Sequence, residues 1–258
     1  MKIRLSASDH SHNSKPSRQV SSPIRRAGAP LSDDAPLTMP GSLLIGQFDE
    51  SSQERWLRQQ ALAMARQNKL DEAIELFDQL IVLYPNMASH YNNRGLLFFQ
   101  VGRLHLALRD YDQAIALDPQ LSQAYNNRAN CFAAMDSLEA AVVDYEMALD
   151  LNPTNLHARL NLGITFRDLG LYEAAIECFD ITLQLSHFHV SDETSKLRVR
   201  AQAYAERAKT HHFAGDWNWA VSDYKRGLRV LDSIEQDEKV ARLQSQINNW
   251  LGMLLQAA

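Results

Sequence analysis

Asparagine recurs in this chain at a fixed interval. Asn93, Asn127 and Asn161 stand 34 residues apart, and Asn92, Asn126 and Asn130 lie beside them. A carboxamide both donates and accepts, so a row of amides can hold an extended peptide backbone. The alternative is that each amide bonds a neighbouring helix instead. Other reactive side chains do not gather into a recognisable pattern. The pairs His187/His189 and His211/His212 lack further ligands from separate elements, so no metal site is expected. Cys131 and Cys178 are too few for a disulfide framework or a four-cysteine zinc site and read as free, buried thiols in a reducing compartment. The sequence carries no phosphate-binding glycine loop, nucleophile elbow or HExxH. Paired carboxylates such as Asp33 and Asp34 fall in a polar tail or on solvated helix faces. The expectation is a protein that binds rather than one that catalyses, with no cofactor.

The elements that would carry these amides follow from the same period. Pro85, Pro119 and Pro153 are also spaced by 34 residues. That interval marks a helix–turn–helix repeat. With Glu54 as position 1, the repeats are 54–87, 88–121, 122–155 and 156–189, and a fifth, 201–234, follows an eleven-residue insertion. Position 20 is always alanine (Ala73, Ala107, Ala141, Ala175, Ala220), and position 8 is always small (Ala61, Gly95, Ala129, Gly163, Ala208). Small residues at both places let two helices approach closely. Position 24 is always aromatic (Phe77, Tyr111, Tyr145, Phe179, Tyr224), supplying buried area. Position 15 is Asn68, Gly102, Asp136, Gly170 or Gly215, the types that tolerate a left-handed turn. Proline at position 32 stops the second helix.

This pattern resembles the tetratricopeptide repeat family. Repeat two matches its motif with Tyr91, Gly95, Phe98, Ala107, Tyr111, Ala114 and Pro119, and repeat three with Tyr125, Ala129, Phe132, Ala141, Tyr145, Ala148 and Pro153. Departures occur at Leu57 and Leu80, at Arg159, Thr182 and His187, and at His211 and Asp232. The resemblance implies an all-α, right-handed α-solenoid of antiparallel helix pairs. It also implies a concave groove lined by the first helices, which binds a partner protein or peptide. The candidate contacts are Asn92, Asn93, Asn126, Asn127, Asn130 and Asn161, with Arg58, Leu96, Phe99 and Ile164. The carboxylate clamp used by some members for chaperone tails is not matched. Its positions hold Arg58, Leu62, Asn93, Gln123 and Asn127, or Asn92, Leu96, Asn127, His157 and Asn161.

Three further expectations concern charge and the chain's ends. Position 7 is arginine and position 23 aspartate in repeats two, three and five: Arg94 with Asp110, Arg128 with Asp144, Arg207 with Asp223. Such pairs would be structural bridges, within a repeat or across a junction. Residues 236–256 form an amphipathic helix with Val240, Leu243, Ile247, Leu251 and Leu254, expected to cap the array. The alternative is a homodimer through 236–258, with the groove closed by the protein's own tail. Ser191 would cap a lengthened first helix of repeat five, a loop being the other possibility. Residues 1–50 read as a disordered, Ser/Pro-rich basic tail with one apolar cluster, Ser42 to Phe48.

Net charge is −5, divided between +5 over residues 1–32 and −10 over the rest. An acidic body argues against nucleic acid as partner. No apolar run is long enough to span a membrane, and the N-terminus lacks a signal's apolar core. The expected location is therefore cytoplasmic.

Overall fold

Five left-handed turns set the architecture. Asn68, Gly102, Asp136, Gly170 and Gly215 have φ between 60° and 88°. After each one, an amide bonds back across the helix end: Lys69 to Met64, Arg103 to Phe98, Ser137 to Phe132, Leu171 to Phe166 and Asp216 to His211, at 2.8–2.9 Å. This satisfies carbonyls that a helix C-terminus otherwise leaves open and reverses the chain.

The structure, a computed structural model, describes residues 50–186, 193–235 and 237–257. Its first helices are α1 (Glu50–Arg66), α3 (Ala88–Gln100), α5 (Ser122–Ala134), α7 (Leu156–Asp168) and α9 (Glu193–Ala214). Each packs on the second helix that follows it: α2 (Leu70–Leu83), α4 (Leu104–Leu117), α6 (Leu138–Leu151), α8 (Tyr172–Leu185) and α10 (Trp217–Asp232). A last helix, α11 (Glu238–Ala257), lies on α10 and α9. The described residues contain no strand, so the chain is an all-helical solenoid. No described helix is long and apolar enough to cross a membrane.

Core packing repeats with the sequence period. Ala73, Ala107, Ala141, Ala175 and Ala220 are wholly buried, and the position-24 rings fill the space between paired helices. Where position 8 is glycine, the ring opposite leaves no room for a Cβ. A Cβ on Gly95 would come within 2.7 Å of the Tyr111 ring, and one on Gly163 within 2.7 Å of Phe179. At the far end Val240, Ile247 and Leu254 of α11 are buried with Tyr224 and Leu231 of α10. The last helix thus covers the apolar face a stacked array would leave open.

Curvature follows from which helices meet. Consecutive first helices touch (α3 with α5, α5 with α7, α7 with α9), while consecutive second helices do not pack on one another to that degree. The first helices therefore form the inner side of the arc. Helix α9 has 22 residues against 13 in α3, α5 and α7, so the fifth pair does begin with a lengthened helix. Ser191 and the pair His187/His189 lie outside the described residues, as does the tail to residue 49, including the cluster from Ser42 to Phe48.

Candidate functional site

The inner strip is built from position 6 of α5, α7 and α9, which reaches back to the preceding first helix. Asn127 Nδ2 donates to Asn92 Oδ1 at 3.1 Å, and Asn126 Nδ2 donates to Asn127 Oδ1 at 3.2 Å. Asn161 Nδ2 donates to Asn130 Oδ1 at 3.0 Å, and the Tyr145 hydroxyl donates to the same oxygen at 2.6 Å. At the next junction Glu206 occupies position 6 and accepts from Arg167 at 2.5 Å, both side chains being buried. The partner moves up the preceding helix, from position 5 to 9 to 12, as the array proceeds.

These bonds correct the picture of an exposed amide row. Asn92, Asn126 and Asn127 are buried, at 4%, 1% and 2% exposure, and Leu96 and Phe99 are buried as well. Neighbouring first helices come close enough for one amide to satisfy the next, as the low interior dielectric demands. The half-exposed members of the candidate set are Arg58, Asn93, Asn130, Asn161 and Ile164. Asn126 Oδ1 is buried with no hydrogen-bond partner among the described residues. Burial pushes the Cys131 and Cys178 thiols up to about 12, so neither is a nucleophile at neutral pH.

Arginine bridges fix the spacing of this strip. Arg94 holds Asp110 through Nε and Nη2 at 2.8 and 2.7 Å, and its Nη1 reaches Asp78 of the preceding pair at 2.6 Å. Arg128 does the same with Asp144 and, across the junction, Asp112. Arg207 holds Asp223 and reaches back to Asp180. Each bridge is thus both within a pair and across a junction. Sequence reasoning missed the second aspartate, although Asp78, Asp112 and Asp180 all occupy position 25. Each guanidinium also faces aromatic rings: Tyr91 and Phe98, Tyr125 and Phe132, and Tyr204. The carboxylates hold the arginine pKa values above their already high range.

A second surface lies where α9 turns into α10. The His212 ring stacks on Trp217 at 5.3 Å and meets Trp250 of α11 edge-on at 6.0 Å. Lys209 Nζ stands 5.3 Å from the Trp250 ring. Phe213, Trp217 and Trp219 are exposed at this turn, and Met253 and Leu255 are exposed on α11. Among the described residues no group of three or more His, Cys, Asp or Glu side chains is placed to hold a metal.

Three family models match the chain, each described as a tetratricopeptide repeat, over residues 59–129, 122–155 and 156–180. No curated protein matches it. Among solved structures, pilF of Pseudomonas aeruginosa aligns with a TM-score of 0.61 at 16% identity, over 78% of this chain and 86% of that one. MamA of Desulfovibrio magneticus RS-1 aligns with a TM-score of 0.60 at 14% identity, over 71% and 97%. YrrB, titled a TPR protein with an unusual peptide-binding site, aligns with a TM-score of 0.54 at 15% identity, over 76% and 95%. At these identities the likeness is one of fold.

Proposed function

We propose that this chain, whose residues 59–180 are tetratricopeptide repeats, is a non-catalytic scaffold that binds an extended segment of a partner protein along its inner face. The observation that carries the reading is the amide strip. Asn93, Asn130 and Asn161 remain half-exposed along α3, α5 and α7. A peptide backbone supplies alternating donors and acceptors of the kind such a strip takes. Charge adds a preference. The sequence of α1 carries Arg55, Arg58 and Arg66 against two glutamates. In the middle Arg167 is occupied by Glu206 and Asp168. A segment with acidic residues toward the α1 end fits this distribution. Affinity capture with the full chain and with Asn93→Ala/Asn161→Ala is the test. At least a fivefold loss of the captured partner is expected with the fold retained, the lost Asn161–Asn130 bond lowering the melting temperature slightly and Asn93→Ala alone leaving it unchanged. Equal capture by both proteins overturns the reading.

A second reading, self-association, is favoured by one observation, the exposure of Trp219 on α10 and of Met253 and Leu255 on α11. Light scattering should then report a dimer for the full chain and a monomer for Trp219→Asp/Leu255→Asp. A monomer in both samples removes this reading and leaves the first intact.

A further inference from the structure

Charge is segregated between the two sides of the solenoid. The second helices α2, α4, α6 and α8 carry thirteen carboxylates and one arginine, Arg109. Their partners α1, α3, α5 and α7 carry seven arginines and three carboxylates, while the fifth pair departs from this, α10 carrying three cations and two carboxylates. The arginine bridges account for only part of the outer excess, because each consumes two aspartates for one cation. Asp71, Glu72, Glu75, Glu139, Asp150, Glu173 and Glu177 stay exposed on the outer face. Apolar side chains are exposed among them: Val82, Leu83, Leu106, Val143 and Met147. Near the start of the array Asp78, Gln79, Val82 and Leu83 line a shallow, largely apolar cleft of about 370 Å³.

We infer that this outer face docks the basic N-terminal segment of the same chain, residues 1–32. That segment carries Lys2, Arg4, Lys15, Arg18, Arg25 and Arg26 against one acid, Asp9. Its sign is complementary to the outer face and opposed to the inner one, where Arg55, Arg58 and Arg66 lie on the helix it leads into. Arginine and lysine stems lie along aliphatic side chains while their heads meet carboxylates, so a mixed acidic and apolar surface suits them better than acids alone. Reach is sufficient. Residues 33–49 join the segment to α1 and extend to about 55 Å, several times the 8–10 Å between packed helices. Tethering also supplies a high effective concentration, on the order of millimolar for a short linker. The inference is independent of what fills the inner face, and it places the tail away from that face.

The test uses the full chain with a nitroxide on Ser22→Cys. The two native cysteines are buried and do not compete for the label. At low salt, amide signals of α2, α4 and α6 should broaden to about half intensity, and the effect should vanish near 0.5 M salt, where screening reaches within a few ångströms. Glu75→Lys/Asp150→Lys, both exposed and outside the arginine bridges, should abolish the broadening. On the unaltered outer face, Arg18→Glu/Arg25→Glu/Arg26→Glu, which takes the segment from +5 to −1, should abolish it as well. Broadening on α3, α5 and α7 instead, or no broadening at low salt, overturns the inference. So does broadening that appears on unlabelled molecules mixed with labelled ones but not within one molecule.

Discussion

At the residue scale, position 24 shows how one side-chain type meets different fates. The Tyr145 hydroxyl donates to Asn130, whereas the Tyr111 and Tyr224 hydroxyls are buried with no partner among the described residues. A buried unpaired hydroxyl carries a desolvation penalty that a paired one offsets. Tyr145→Phe should therefore cost about 1 kcal/mol in chemical denaturation, while Tyr111→Phe should be neutral or stabilising. A larger loss for Tyr111→Phe would contradict this assignment. His90 offers a second case. It is fully buried where later repeats have Ala124, Ala158 and Ala203, with Glu54 Oε1 3.3 Å from Nε2. Burial, aided by Arg58, lowers its pKa to about 4. The folded state thus prefers the neutral ring. Stability from this group is complete above pH 6.5 and declines as pH falls toward 4, because the unfolded chain takes a proton that the fold refuses. The loss is on the order of 3 kcal/mol, and His90→Ala should flatten that part of the stability–pH curve relative to the parent.

At the element scale, the arginine bridges decide how one helix pair is set against the next. Arg128→Ala leaves Asp144 buried without its cation and should cost about 2–4 kcal/mol. Repeat four does without such a bridge, holding Leu162 and Cys178 in the same two positions. Arg128→Leu/Asp144→Cys should accordingly recover most of the loss, to within about 1 kcal/mol of the parent, since an apolar pair of similar volume often replaces a buried ion pair without penalty. Denaturant titration of the parent, the single variant and the double variant checks this, and a double variant as unstable as the single one would refute it. The turns give a further check. Asn68 and Asp136 hold positive φ, at 62° and 60°, where the other three repeats use glycine. Asp136→Gly should raise stability by the few tenths to about 1 kcal/mol that relief of a left-handed residue brings, seen as a slightly higher melting temperature. Period, turn and paired charge were all legible in the sequence, because each depends on residues at fixed separation within one unit. The aspartate of the preceding pair was not read, although it too keeps a fixed position. Its relevance appears only when two units are stacked.

At the scale of the whole molecule, the solenoid separates two surfaces that composition alone merges into a net charge of −5. Its inner side is rich in amides and arginine, and its outer side in carboxylate. Binding of an acidic segment to the inner side should therefore weaken as salt rises, while capture that depends on Asn93 and Asn161 should persist at moderate salt. Isothermal titration at two ionic strengths with an identified partner peptide would separate the two contributions. Asn127→Ala serves as the control, because its amide bridges two helices. It should lower the melting temperature, whereas Asn93→Ala should not.

The sequence by itself determined the repeat, the helix pairs, the left-handed turns and the Arg–Asp bridges. Each of these is a local pattern repeated with the helical and 34-residue periods, and each repeat tests the others. Tertiary structure alone decided which asparagines face solvent. Asn93 and Asn127 share position 6 and the same neighbours in sequence, yet one is half-exposed and the other buried against Asn92. The difference depends on the distance between consecutive first helices, which is set by packing across the junction. No single repeat encodes it.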